Sequence, residues 1–153
     1  MPTGIANLKR SLPGQRNGDR LRAFGKRAIA VTLPAIIQSY IDAYNRKDAA
    51  ALVACVGDDV VFENVSNSGQ SMKIEGRAAF AELAEQVATI FTTRHQTITN
   101  AVVDGDRVAM EVDWTGTPAV DLGPMKAGEP IAMRGASFIT IREGLLTRIV
   151  DLS

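Results

Sequence analysis

Two apolar periods follow one another along the chain. Leu33, Ile36, Ile37, Tyr40, Ile41 and Tyr44 recur at helical spacing and make one stripe of an amphipathic helix. Pro34 suits the first turn of that helix. Asn45-Arg46-Lys47 closes it, and Asp48 is placed to cap a short second helix from Ala49 to Val56, which Gly57-Asp58 ends. Val60, Val61 and Phe62 read as a strand before a polar loop from Ser66 to Ser71. Gly76 precedes a third helix, in which Phe80, Leu83, Ala84, Val87, Ile90 and Phe91 share a face while Glu82 and Glu85 point away.

After Thr93 the period shortens to two. His95 to Val103 and Arg107 to Thr117 are predicted strands, joined by a hairpin at Asp104-Gly105. Pro118 to Pro130 is a long loop, and Ile131 to Ile141 and Leu145 to Leu152 form a second hairpin across Glu143-Gly144. Helices first and antiparallel strands last imply an α+β fold, with the helices stacked on one face of a curved sheet.

Charge divides the chain. The totals cancel, with 17 Lys+Arg against 17 Asp+Glu, but residues 1–27 hold seven bases against the single acid Asp19, a net +6, leaving −6 for the rest. The first stretch mixes glycine and proline with those bases and has no sustained apolar period. It reads as a basic, flexible arm over residues 1–30, ahead of one domain over 31–153. Such an arm is a solvated tail, an electrostatic tether, or the product of a start site upstream of a native start near Val31. With Phe24 as its only aromatic residue, it lacks the stacking platform of a nucleic-acid binder, and none is expected as partner.

A chain that is 46% hydrophobic at this length can build one core without staples. Cys55 is the only cysteine and His95 the only histidine, so neither a disulfide nor a Cys/His metal site is available, and no metal or cofactor is expected. The longest apolar run, Ala28 to Ile37, is broken by Thr32 and Pro34 and falls short of the roughly 20 residues of a membrane span. A cytoplasmic protein without membrane contact is the expectation. Neither a glycine-rich phosphate loop nor a nucleophile elbow is present.

Carboxylates and amides on the strands carry the candidate chemistry. Along the strand around Met110, Val108, Met110, Val112 and Trp114 share one face, and Glu111 and Asp113 share the other. The two carboxylates stand about 7 Å apart, and the alternation alone puts them on a solvated face. Asp151 ends a row with Leu145, Thr147 and Ile149, opposite the face of Arg148. Burial there would raise its pKa and make it a usable base near neutrality, unless the chain frays at this end. Asn64 shares a face with Phe62 and Val60, where its amide could hold a water or simply close a turn. Tyr40 and Tyr44 belong to the helical stripe, though a stripe tyrosine can turn its hydroxyl into a cavity. His95 reads as structural or exposed rather than catalytic.

The segments Tyr-Ile-Asp-Ala-Tyr-Asn-Arg-Lys-Asp (40–48), Gly-Asp-Asp-Val-Val-Phe-Glu-Asn (57–64), Ile-Glu-Gly-Arg-Ala-Ala-Phe (74–80) and Arg-Glu-Gly-Leu-Leu-Thr-Arg-Ile-Val-Asp (142–151) together resemble the SnoaL-like branch of the nuclear-transport-factor-2-like superfamily. The resemblance implies a cone, with three N-terminal helices packed on a strongly curved, mostly antiparallel sheet around an apolar pocket. It also implies a small hydrophobic ligand and a homodimer. Against the ketosteroid isomerases, the helix tyrosine looks like Tyr40, but the general base falls on Asn64 and the oxyanion-hole aspartate near Ala136. Against the limonene-epoxide hydrolases, the water-holding asparagine looks like Asn64, the base like Asp151 and the acid like Asp113. There the bridging arginine falls on Glu111, with Arg134 as a substitute, and the water-holding tyrosine falls on Phe62. The resemblance thus implies acid/base chemistry by Asp151, Asp113 and Asn64 on a substrate held by Tyr40, Phe62, Glu111, Trp114 and Arg134, with epoxide hydrolysis as its most concrete form. A cyclase or isomerase reaction, and a binding or assembly module without chemistry, are the alternatives.

Overall fold

The computed structural model describes residues 31–153; the expected arm at 1–30 lies outside the described residues. Helices α1 (Ala35–Asn45) and α2 (Ala49–Ala54) lead into strand β1 (Val56–Val65) and the short β2 (Met72–Glu75). Helix α3 (Arg77–Ile90) follows, then β3 (Phe91–Asp104), β4 (Arg107–Pro118), β5 (Ile131–Arg142) and β6 (Leu145–Leu152). The strands form one sheet in the order β2-β1-β6-β5-β4-β3. Only β1 and β6 run parallel to each other, and all other neighbours are antiparallel. The fold is α+β, as the change of period predicts, and the parallel pairing of β1 with β6 makes its sheet mixed.

Asp48 caps α2 as expected, its Oδ1 accepting from the Ala51 amide at 2.9 Å, a contact worth about 1 kcal/mol. That helix stops at Ala54 rather than Val56, and Gly57-Asp58 does not break the chain but lies within β1. The cause is tertiary. Val56 pairs with Leu146 across the sheet, and the Leu146 amide donates to the Cys55 carbonyl at 2.9 Å, so ladder bonds override a local turn signal. Strand β2 was not expected. It is a four-residue edge strand with three exposed positions, too short and polar to register as a period. Helix α3 also passes into β3 without a loop, Phe91 being already extended.

The apolar stripes meet on the inner face of the sheet. Ile37 and Ile41 of α1 and Phe80 of α3 pack in one cluster with Val60, Met110, Ile139 and Ile149 from four strands. Each such side chain contributes roughly 1.5–3 kcal/mol by leaving water. Phe80 also meets Phe62 edge to face at 6.0 Å. The end of α1 is tied to β3: the Asn45 amide donates to the Gln96 carbonyl at 3.0 Å and accepts from the Gln96 amide at 2.7 Å. Lys47, held at φ 57°, sends its ammonium to the carbonyls of Phe91 and Thr92. No described helix is long and apolar enough to cross a membrane.

Candidate active site

A cavity of about 330 Å³ lies between the helices and the inner face of the sheet, within the usual range for small-molecule sites. Phe62, Phe80, Leu83 and Trp114 make much of its wall apolar. Against that wall stand a few polar groups.

Asp151 is the deepest carboxylate. It follows Ile149 on the inward face of β6, and its register partners are Ser137 on β5 and Asn64 on β1. The side chains of all three line the cavity from adjacent strands. The Ser137 hydroxyl donates to Asp151 Oδ1 at 2.6 Å. Burial pushes the Asp151 carboxyl up to about 6, with the Ser137 bond pulling the other way. Among the described residues no cation lies within ion-pair distance of it. Asp151 therefore sits where the inward row of β6 predicts, and not on a frayed end.

Two tyrosines of α1 reach the same space. Burial, with the Asp151 charge second, holds Tyr40 well above the usual phenol range, so its hydroxyl stays protonated and available as a donor. Tyr44 is also raised by burial and accepts a 2.8 Å hydrogen bond from Trp114 Nε1. Phe91 backs the indole edge to face at 5.2 Å.

The remaining expectations divide. Asn64, Phe62, Tyr40 and Trp114 line the cavity. Glu111 and Asp113 do not. Both are exposed on the outer face of β4, while Val112 and Trp114 turn inward. Strand alternation fixes this, since the buried positions of β4 are the even ones. Asp113 is therefore no partner for Asp151, and Glu111 touches no substrate in this cavity. Arg134 contributes to the cavity wall, but its side chain is 78% exposed and its Nε lies 3.5 Å from Asp113. The two are cross-strand partners, so the arginine does not bridge carboxylates inside.

Ser137, Gln96 and Arg94, polar residues lining the cavity, went unread in the sequence. Arg94 is only 5% exposed, on the inward face of β3, with its guanidinium 4.0 Å above the Tyr44 ring. His95, its neighbour, faces solvent.

The sequence profile of the SnoaL-like domain matches residues 37–149. No match was found among curated proteins. The fold is similar to a hypothetical protein with a ketosteroid isomerase-like fold from Catenulispora acidiphila, solved with trimethylamine. That protein is 25% identical, with TM-score 0.63 over 78% of this chain and 85% of that one. A proposed polyketide cyclase from Xanthomonas campestris is 26% identical, with TM-score 0.61 over 78% and 87%. An epoxide hydrolase of the limonene-epoxide-hydrolase-like type from Mycobacterium tuberculosis shares the fold at 20% identity, with TM-score 0.62 over 78% and 80%.

Proposed function

The chain belongs to the SnoaL-like domain family of the nuclear-transport-factor-2-like superfamily, and from that premise we propose that it is a proton-transfer enzyme acting on a small hydrophobic molecule. Asp151 is the general base, and the Tyr40 hydroxyl is the donor facing the oxygen that gains charge. The reaction class is that of a cyclase or isomerase, in which a proton leaves carbon next to a carbonyl. One observation carries this reading: a buried carboxylate that has, among the described residues, a single hydroxyl donor and no cation partner faces an apolar cavity. A base in that setting has a proton affinity matched to work near neutrality.

Deuterium uptake by an apolar ketone such as 2-tetralone, followed by proton NMR in D₂O, tests it. Wild type accelerates exchange, and Asp151→Asn loses on the order of 10²-fold or more. Acceleration that survives in Asp151→Asn overturns the assignment, and ligand affinity with no acceleration in wild type identifies a binding module instead.

Epoxide hydrolysis is the second reading, favoured by one contact: Asn64 is the register partner of Asp151 and could hold a water against it. Asp113 is not available as the acid, so the proton for the epoxide oxygen would come from Tyr40. Styrene oxide turnover in the same pair of proteins separates this reading from the first.

We also propose a homodimer through the outer face of the sheet. Its support is an apolar row across β3, β4 and β5, Val102, Ala109 and Phe138, neighbours by register, which continues on β6 into the buried Val150. Val102 and Phe138 are 63% and 45% exposed.

A further inference from the structure

We propose that Arg94 is a receptor for an anionic oxygen, and that the cavity's ligand is an apolar molecule bearing a carboxylate, phenolate or enolate. The inference rests on reading the cavity as a small-molecule site, but not on the role of Asp151.

A guanidinium offers five N–H donors in a fixed fork. Here Nε donates to the Tyr44 carbonyl at 3.1 Å, while Nη2 is enclosed by protein and has no acceptor. No described carboxylate forms an ion pair with it. A buried charge left this way is costly, and stacking on the Tyr44 ring offsets only part of the cost. Arg94 is not needed to fasten α1 to β3, because Asn45 and Lys47 already make four bonds across that junction. The surrounding packing shuts Nη2 off, so the donor left for the cavity that Arg94 lines is Nη1, for which no described side chain or carbonyl is an acceptor. The Tyr44 ring and carbonyl hold the fork in one orientation, so little ordering is required when an oxygen arrives. Gln96, two residues on, lines the same wall and adds an amide.

The position of Arg94 also orients the ligand. Arg94 stands on β3 and Asp151 on β6, with β4 and β5 between them. A molecule whose oxygen meets the guanidinium keeps its negative charge away from Asp151, while its apolar body extends along Trp114 and Phe62.

Calorimetric titration at pH 8 with 2-naphthoate and 2-methylnaphthalene tests the proposal. The two share an apolar body and differ in the anionic group. Wild type is expected to prefer the naphthoate by about tenfold or more. Arg94→Met removes the preference while binding methylnaphthalene as before, and Arg94→Lys restores part of it. Parity in wild type, a preference retained in Arg94→Met, or no binding of naphthoate overturns the proposal. If Arg94→Met does not fold, Arg94→Gln takes its place and is read in the same way. Asp151→Asn removes a like charge from the cavity and so keeps or strengthens the naphthoate preference whatever it does to proton transfer, and failure of the base and failure of the receptor are read separately.

Discussion

Asp151 has opposite effects on activity and on stability. Its carboxyl titrates near 6 in the folded protein and near 4 in an unfolded chain, so the folded state holds the proton more tightly. Between those values the folded protein binds more protons than the unfolded one, and stability falls as pH rises through that window. Above it the buried charge costs up to about 3 kcal/mol, an upper limit because the cavity admits solvent. Asp151→Asn keeps an acceptor for the Ser137 hydroxyl and removes the charge. Urea denaturation should therefore find the variant more stable than wild type at pH 8 and no more stable at pH 3, while an equal difference at both values would contradict burial as the cause. Asp151 and Asn64 were legible in the sequence because each continues an apolar row at period two. The same alternation sets Asp113 opposite Trp114, and only the family resemblance had drawn it inside. Arg94 was hidden for a related reason: it lies in Phe-Thr-Thr-Arg-His-Gln-Thr (91–97), where the inward positions 94 and 96 are both polar and give no apolar period to read.

At the scale of elements, the position of the base depends on how closely β5 and β6 approach. Gly135 on β5 has no side chain, and a Cβ there would stand 2.6 Å from the Leu152 carbonyl oxygen, nearer than packed atoms tolerate. That oxygen is backbone, so the strands themselves must part. Gly135→Ala is therefore expected to cost about 1–3 kcal/mol in urea denaturation and to lower proton transfer further by moving Asp151 away from Ser137. If neither stability nor exchange changes, the close approach does not position the base. The strand itself was readable from its alternation, but the need for glycine in it was not, because the constraint comes from the neighbouring strand's backbone. The same holds for β2 and for the entry into β1. The local signal at Gly57-Asp58 favoured a break, and pairing with β6 decided otherwise, whereas Ser66 to Ser71 is the loop its composition predicts and pairing with β1 makes a strand only of Met72–Glu75 after it.

Taken whole, the described part of the chain is acidic, carrying the −6 that offsets the bases of residues 1–27, and a second copy would meet like charge unless the contact face were locally neutral. On the outer face of the sheet part of the charge is cancelled in pairs. Its charges include two opposed pairs, Asp113 with Arg134 and Glu63 with Arg148, each at 3.5 Å. Such exposed pairs add little stability, but they remove the net repulsion that a face of carboxylates alone would present. The apolar row with Phe138 at its centre lies between them. In an isologous dimer each copy buries the same side chain, so Phe138→Asp forfeits about 2 kcal/mol twice and adds two facing carboxylates. Sedimentation velocity should find wild type as a dimer across the micromolar range and the variant as a monomer. Phe138 is absent from the cavity wall, so deuterium exchange per subunit should persist in the variant. A wild-type monomer, or a dimer indifferent to Phe138→Asp, would move the interface elsewhere. Persistence of exchange in the monomer would also mean that each cavity is complete within one chain, as the placement of Asp151, Tyr40 and Arg94 on a single sheet and its own helix requires.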